Sequence, residues 1–146
     1  MSQEFDERKY FLKETLRRFD QMIQKDEAVF FELDIYERAL EHYIANDDLT
    51  KALKVCEIGL REYPYSLELM LGKANLLAAK NEFDGAIEIL ERASLFHPGD
   101  VETRFTQATI FNLMGEYESA IFIFKDLLHS SIDQDEIFYQ IGQAYQ

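Results

Sequence analysis

The stretch FDGAIEI, residues 83–89, has two counterparts in the same chain: LTKALKV, residues 49–55, and YESAIFI, residues 117–123. Ala52, Ala86 and Ala120 therefore stand 34 residues apart, as do Pro64 and Pro98. Asn81-Glu82-Phe83 and Gly115-Glu116-Tyr117 match in the same way, with Asp47-Asp48-Leu49 as a looser copy. A fixed period of this length marks stacked units, each burying a face against the next. It divides the chain into repeats 33–66, 67–100 and 101–134, followed by a half repeat, 135–146.

Each repeat reads as two helices. Their predicted spans are 33–46, 49–62, 67–80, 83–96, 101–114 and 117–129, with a last first-helix at 135–146. The second helices share a small–bulky–small pattern: Ala52-Cys56-Gly59, Ala86-Leu90-Ala93 and Ala120-Phe124-Leu127. Two helices approach closely only where side chains are small, and the bulky residue fills the neighbouring gap. Pro64 and Pro98 should end their helices, because proline cannot continue one. The third repeat has Ile132 in place of proline, after Ser130-Ser131, and a break is still expected there.

On these residues the chain resembles the tetratricopeptide repeat family, over residues 33–146. The family's first-helix pattern is a large aromatic, then Leu-Gly, then Tyr. The half repeat matches it best, with Phe138, Ile141-Gly142 and Tyr145. The others read Tyr36, Ala39-Leu40, Tyr43; Met70, Lys73-Ala74, Leu77; and Arg104, Gln107-Ala108, Phe111. Leu40, Lys73, Arg104 and Gln107 depart from the pattern. The segment FFELDIYERALEHYIAND is also similar to the start of repeats in uncharacterised tetratricopeptide proteins of Bacteroidetes bacteria, which implies no activity. The family resemblance implies an all-α, right-handed α-solenoid of helix hairpins that acts as a protein-interaction scaffold.

Residues 1–32 fall outside the repeat. Phe5, Leu12, Leu16, Phe19 and Ile23 recur at helical spacing, and Tyr10, Phe11 and Met22 widen the stripe. Two roles are open to this helix: a cap on the open end of the solenoid, or a partner-binding helix. Ala28-Val29-Phe30-Phe31 then links it to the first repeat.

The resemblance also implies a groove lined by first-helix side chains. Carried over, these are Asp34, Glu37, Glu41, Ile44 and Ala45; Glu68, Leu71, Asn75, Ala78 and Ala79; Glu102, Phe105, Thr109, Asn112 and Leu113; and Glu136, Tyr139, Gln143 and Gln146. Asp34, Glu68, Glu102 and Glu136 form an acidic row at the 34-residue period. They either complement helix dipoles or recognise a partner. Leu71, Phe105 and Tyr139 form an apolar row that either anchors a partner or packs between repeats. Co-chaperones of the family grip acidic chaperone tails with Lys, Arg and Asn. Here only Asn75 suits that task, and Glu37 and Glu41 would repel a carboxylate. The expected ligand is a neutral or basic peptide or helix with apolar anchors. The half repeat would leave Phe138, Ile141 and Tyr145 uncovered, so either the natural chain continues or another molecule, such as a second copy in a homodimer, covers them.

Composition narrows the alternatives. The 146 residues carry 28 acidic and 15 basic side chains, a net charge of -13. Phosphates would be repelled, so no nucleic acid is expected. No apolar run approaches the roughly 18 residues of a membrane span. The N-terminus lacks a signal-peptide stretch, and a cytoplasmic protein is expected. The single cysteine, Cys56, excludes an internal disulfide and falls at a core position. His42, His97 and His129 lie in different repeats without metal-ligand spacing. His97-Pro98-Gly99-Asp100 reads as a helix stop and turn. Asp47-Asp48 reads as turn and cap. No phosphate-binding loop, dinucleotide fingerprint or nucleophile elbow is present. No catalytic residues, metal or cofactor are expected, and the chain reads as a binding module.

Overall fold

The computed structural model describes residues 2–25, 30–128 and 134–145. The Phe5 side chain, together with Ala28, Val29, His129, Ser130, Ser131, Ile132 and Gln146, lies outside the described residues. The described chain is helical throughout: α1 (Ser2–Lys25), α2 (Leu33–Ala45), α3 (Leu49–Glu62), α4 (Leu67–Ala79), α5 (Phe83–Phe96), α6 (Val101–Met114), α7 (Tyr117–Leu127) and α8 (Gln134–Tyr145). It forms two compact units, Met1–Pro64 and Tyr65–Gln146. Helices α2 and α3, α4 and α5, and α6 and α7 pack as successive hairpins.

The small and bulky residues predicted to face the partner helix are buried. Ala52, Cys56, Ala86, Leu90, Ala93, Ala120 and Phe124 have no exposed surface, and Gly59 is buried as well. Each hairpin turn repeats one hydrogen bond. The N–H groups of Asp48, Glu82 and Glu116 donate to the carbonyls of Tyr43, Leu77 and Phe111 at 2.8, 2.9 and 2.9 Å. That six-to-one bond needs left-handed backbone at the preceding residue. Asp47, Asn81 and Gly115 supply it with φ of 56°, 62° and 82°. Asp and Asn tolerate this region and glycine has no Cβ to clash there. These turns end α2 and α4 one residue before the predicted limit.

Caps start the next helices. The Asp48 carboxylate accepts from the Lys51 N–H at 3.1 Å. The Ser66 hydroxyl accepts from the Leu69 N–H at 3.3 Å. Asp100 accepts from both the N–H and the hydroxyl of Thr103 at 2.8 Å. Helices α3 and α5 stop two residues before Pro64 and Pro98.

A second repeated bond ties the end of each of the first two repeats to the residue two places before its start. The Tyr63 hydroxyl donates to the Phe31 carbonyl at 2.9 Å. One period later, the Nε2 of His97 meets the Tyr65 carbonyl at 2.9 Å, as a donor. His97 thus adds a fastening to the expected helix stop.

In the first unit, α1 packs on α2 through aromatic side chains. Phe19 stacks on Phe31 at 4.4 Å and meets Tyr36 edge-on at 5.3 Å. Phe31 and Tyr36 meet edge-on at 5.8 Å, and the Arg18 guanidinium lies 5.4 Å from the Phe31 ring centre. Burial pushes the Tyr36 hydroxyl pKa up, with the nearby Glu62 carboxylate adding to the shift. Among the described side chains of α1, the buried ones are Thr15, Phe19 and Met22. Tyr10 and Phe11, expected to widen the stripe, are instead 72% and 53% exposed. With 24 residues against 13 in α2, α1 is longer than the helix that buries it.

In the second unit, α8 packs on α7 and α6. Its Ile137 joins Ala108, Ala120, Phe124 and Leu127 in one buried cluster. Phe19→Ala should cost about 3–5 kcal/mol, the range for deleting a buried phenyl. Hydrogen exchange should show the loss first as faster exchange across α1.

Candidate partner-binding surface

Asp34, Glu68, Glu102 and Glu136 are all exposed in the first turns of α2, α4, α6 and α8. Arg38 lies 3.8 Å from Asp34, and the Gln140 amide donates to Glu136 at 3.0 Å. Ser66 and Asp100 do the capping of their own helices. The row therefore combines dipole complementation with solvent-facing negative charge. Glu41 and Asn75 are exposed and Glu37 is half-buried.

The apolar row is not an exposed stripe. Leu71 is buried at 6%. Phe105 is half-buried, edge-on to Phe124 at 5.5 Å. Tyr139 alone of the three is open, at 60%. The reason for Leu71 was visible in α4, whose sequence is apolar on most sides and which buries seven residues. A helix apolar all round is enclosed rather than amphipathic.

Thr109 and Asn112 are also engaged within the fold. The Thr109 hydroxyl donates to the Phe105 carbonyl at 3.0 Å. The Asn112 amide donates to the Gln140 carbonyl at 3.0 Å and so ties α6 to α8. The packed and exposed members of the carried-over groove cannot be told apart from register alone.

On α8, Phe138 and Tyr145 are 58% and 67% exposed. Their counterparts Tyr36, Tyr43, Met70 and Leu77 are 0%, 5%, 1% and 8% exposed, in repeats that carry a second helix. Ile141, expected to be uncovered with them, instead packs on the Phe124 cluster. Its position, one turn on from buried Ile137, turns it toward that cluster.

Two features lie away from this groove. In the first repeat, the Lys51 ammonium sits 5.8 Å from the Tyr43 ring centre and 2.9 Å from the Asp20 carboxylate. Tyr43 also donates to Asp20 at 3.3 Å. The Asp20 carboxylate holds the Lys51 ammonium above its ordinary pKa, and burial followed by Asp20 raises the Tyr43 hydroxyl. In the third repeat, a cavity of about 540 Å³ is lined by Phe111, Glu118, Ser119, Phe122 and Ile123. Register alone did not single out this cavity, although exposed Phe122 stands where the second repeat has Glu88.

Cys56 is fully buried. Among the described residues, no three His, Cys, Asp or Glu side chains come together to hold a metal. No helix among them is long and apolar enough to cross a membrane.

The tetratricopeptide repeat family model matches residues 43–104. Over these residues the chain is similar to that family. The Tetratricopeptide repeat protein 8 of Caenorhabditis elegans is 25% identical over 96 residues. That match takes in 66% of this chain but 19% of the relative. The fold is shared with the TPR2B domain of yeast Sti1, solved in a pHsp70 complex, with a TM-score of 0.70 and 20% identity. That likeness covers 78% of this chain and 96% of the domain. MamA of AMB-1 matches with a TM-score of 0.65 and 17% identity, over 96% of this chain and 82% of MamA. The all-α fold of helix hairpins expected from the resemblance is thus the fold observed, and these neighbours share it.

Phe105→Glu should separate packing from recognition. A carboxylate against Phe124 removes a packed phenyl and desolvates a charge, so a loss of at least about 3 kcal/mol is expected in a denaturant melt. Tyr139→Glu should stay within about 0.5 kcal/mol of the parent, as an exposed substitution does.

Proposed function

We propose that this chain is a scaffold that holds a neutral or basic peptide or helix on its first-helix face. The observation that carries this reading is the exposure of all four carboxylates of the period-34 row. A net charge of -13 extends the same preference to long range, since opposite charge speeds and orients encounter. Glu41, Asn75 and Tyr139 join the row as accessible contacts. Glu37, Leu71, Phe105, Thr109 and Asn112 act by shaping the surface from below. Preorganised helices bind at low ordering cost. A cytoplasmic setting and the absence of catalysis complete the reading, and residues 1–32 serve as a cap on repeats 33–146.

An acidic C-terminal tail is a poor ligand on this reading, because Glu37 and Glu41 stand where a carboxylate clamp needs cations. The likeness to the Sti1 domain lies in the fold and does not bring its ligand with it. A Glu-rich peptide should therefore show no tight binding in calorimetry; micromolar affinity would overturn this reading.

Self-association through α8 is the second reading, favoured by the exposure of Phe138 and Tyr145. Affinity capture at low and high salt distinguishes the two. A basic protein retained at low salt, lost at high salt, and lost with D34N/E68Q/E102Q/E136Q supports the scaffold. Recovery of the chain alone, with a dimer mass in light scattering that Phe138→Glu abolishes, supports self-association instead.

A further inference from the structure

The first repeat already contains a small cation-binding arrangement. Its lysine lies over an aromatic ring and against a carboxylate, through Lys51, Tyr43 and Asp20. The ring comes from the eleventh place of the repeat and the lysine from the nineteenth. Two periods later those places hold Phe111 and Ser119. The ring is retained and the lysine is gone. At that place the third repeat has the cavity of about 540 Å³. It is an open surface depression, with Glu118, Ser119 and Phe122 exposed.

The lining has a definite chemistry. Phe111, Phe122 and Ile123 supply apolar walls, Glu118 supplies a carboxylate and Ser119 a hydroxyl. Phe122 is 74% exposed, and none of the five lining residues is basic. A long aliphatic stem ending in a cation satisfies all of these groups: its methylenes lie on the phenyl rings and its charge meets Glu118. An anionic side chain would meet the Glu118 carboxylate unpaired. A purely apolar one would gain nothing from that carboxylate, in a chain of net charge -13.

We propose that this cavity takes a lysine or arginine side chain of a basic peptide partner, which occupies the place that Lys51 fills in the first repeat. The site lies on α6 and α7 outside the first-helix groove, and it rests on the basic-partner reading only for its choice of ligand.

The test uses the whole chain and fluorescein-labelled octa-arginine, with octa-citrulline as its uncharged isostere, in fluorescence anisotropy. Octa-arginine should bind and octa-citrulline should bind more weakly. Phe122→Ala removes one wall, and Ser119→Lys supplies the site with an internal cation. Each should weaken octa-arginine binding by about tenfold, the scale of one desolvated cation–π contact with its charge partner. Glu91→Gln, an exposed change on α5 that shifts net charge as much as Ser119→Lys does, should leave it unaltered. Circular dichroism confirms that each variant is folded. Equal weakening by Glu91→Gln, or none from Phe122→Ala and Ser119→Lys, would overturn the proposal. If only D34N/E68Q/E102Q/E136Q weakens binding, the cavity proposal falls and the groove reading stands. If only the two cavity variants do, the cavity stands and the groove reading falls.

Discussion

The close approach of paired helices at Ala52, Ala86 and Ala120 is the constraint on which the rest of the structure depends. Each of these methyl groups has no exposed surface. Beside Ala86, a Cβ added at Gly85 would meet the Leu77 Cδ1 at 3.4 Å. Helix spacing is set by the side chains at the contact, and the smallest ones allow the shortest distance. With the axes that near, the next bulky residue on the second helix is forced into the gap between elements. Cys56, Leu90 and Phe124 occupy that place and are fully enclosed.

This constraint sorts the surface as well. Residues that face the partner helix are consumed by the fold, whichever side chain they carry. Phe105 and Leu71 show this, because register places them in the groove while packing removes most of their area. The first-turn carboxylates, Glu41, Asn75, Tyr139 and Phe122 stay exposed because no neighbouring helix covers them.

Most of the architecture was legible in the chain because the repeat states it three times. The alanine of the second helix and the left-handed turn residue before it recur at each copy, so local and distant preferences point to the same answer. The helix limits came within a residue or two, and the small shifts arise where left-handed turns at Asp47 and Asn81 take the last residue into the bend. The surface was less legible. A repeat position says which way a residue points, but not what lies opposite. Enclosure of Leu71 depends on α4 being apolar on most sides, the packing of Ile141 on its nearness to Ile137, and the cavity on the loss of a lysine at Ser119. The aromatic assembly joins Phe19 and Phe31, which precede the repeats, to Tyr36 inside the first one, and only three-dimensional contact brings them together.

The bonds from Tyr63 to Phe31 and from His97 to Tyr65 bear on how the chain reaches this state. Each fastens the end of a repeat to the residue just before that repeat starts, 32 residues earlier. No chain segment longer than this has to be looped out for either bond to form. Closure entropy grows only slowly with loop length, and chains whose contacts are near in sequence organise rapidly. Lengthening such an array leaves the loops to be closed no larger, so assembly time is governed by the single repeat rather than by the length of the whole.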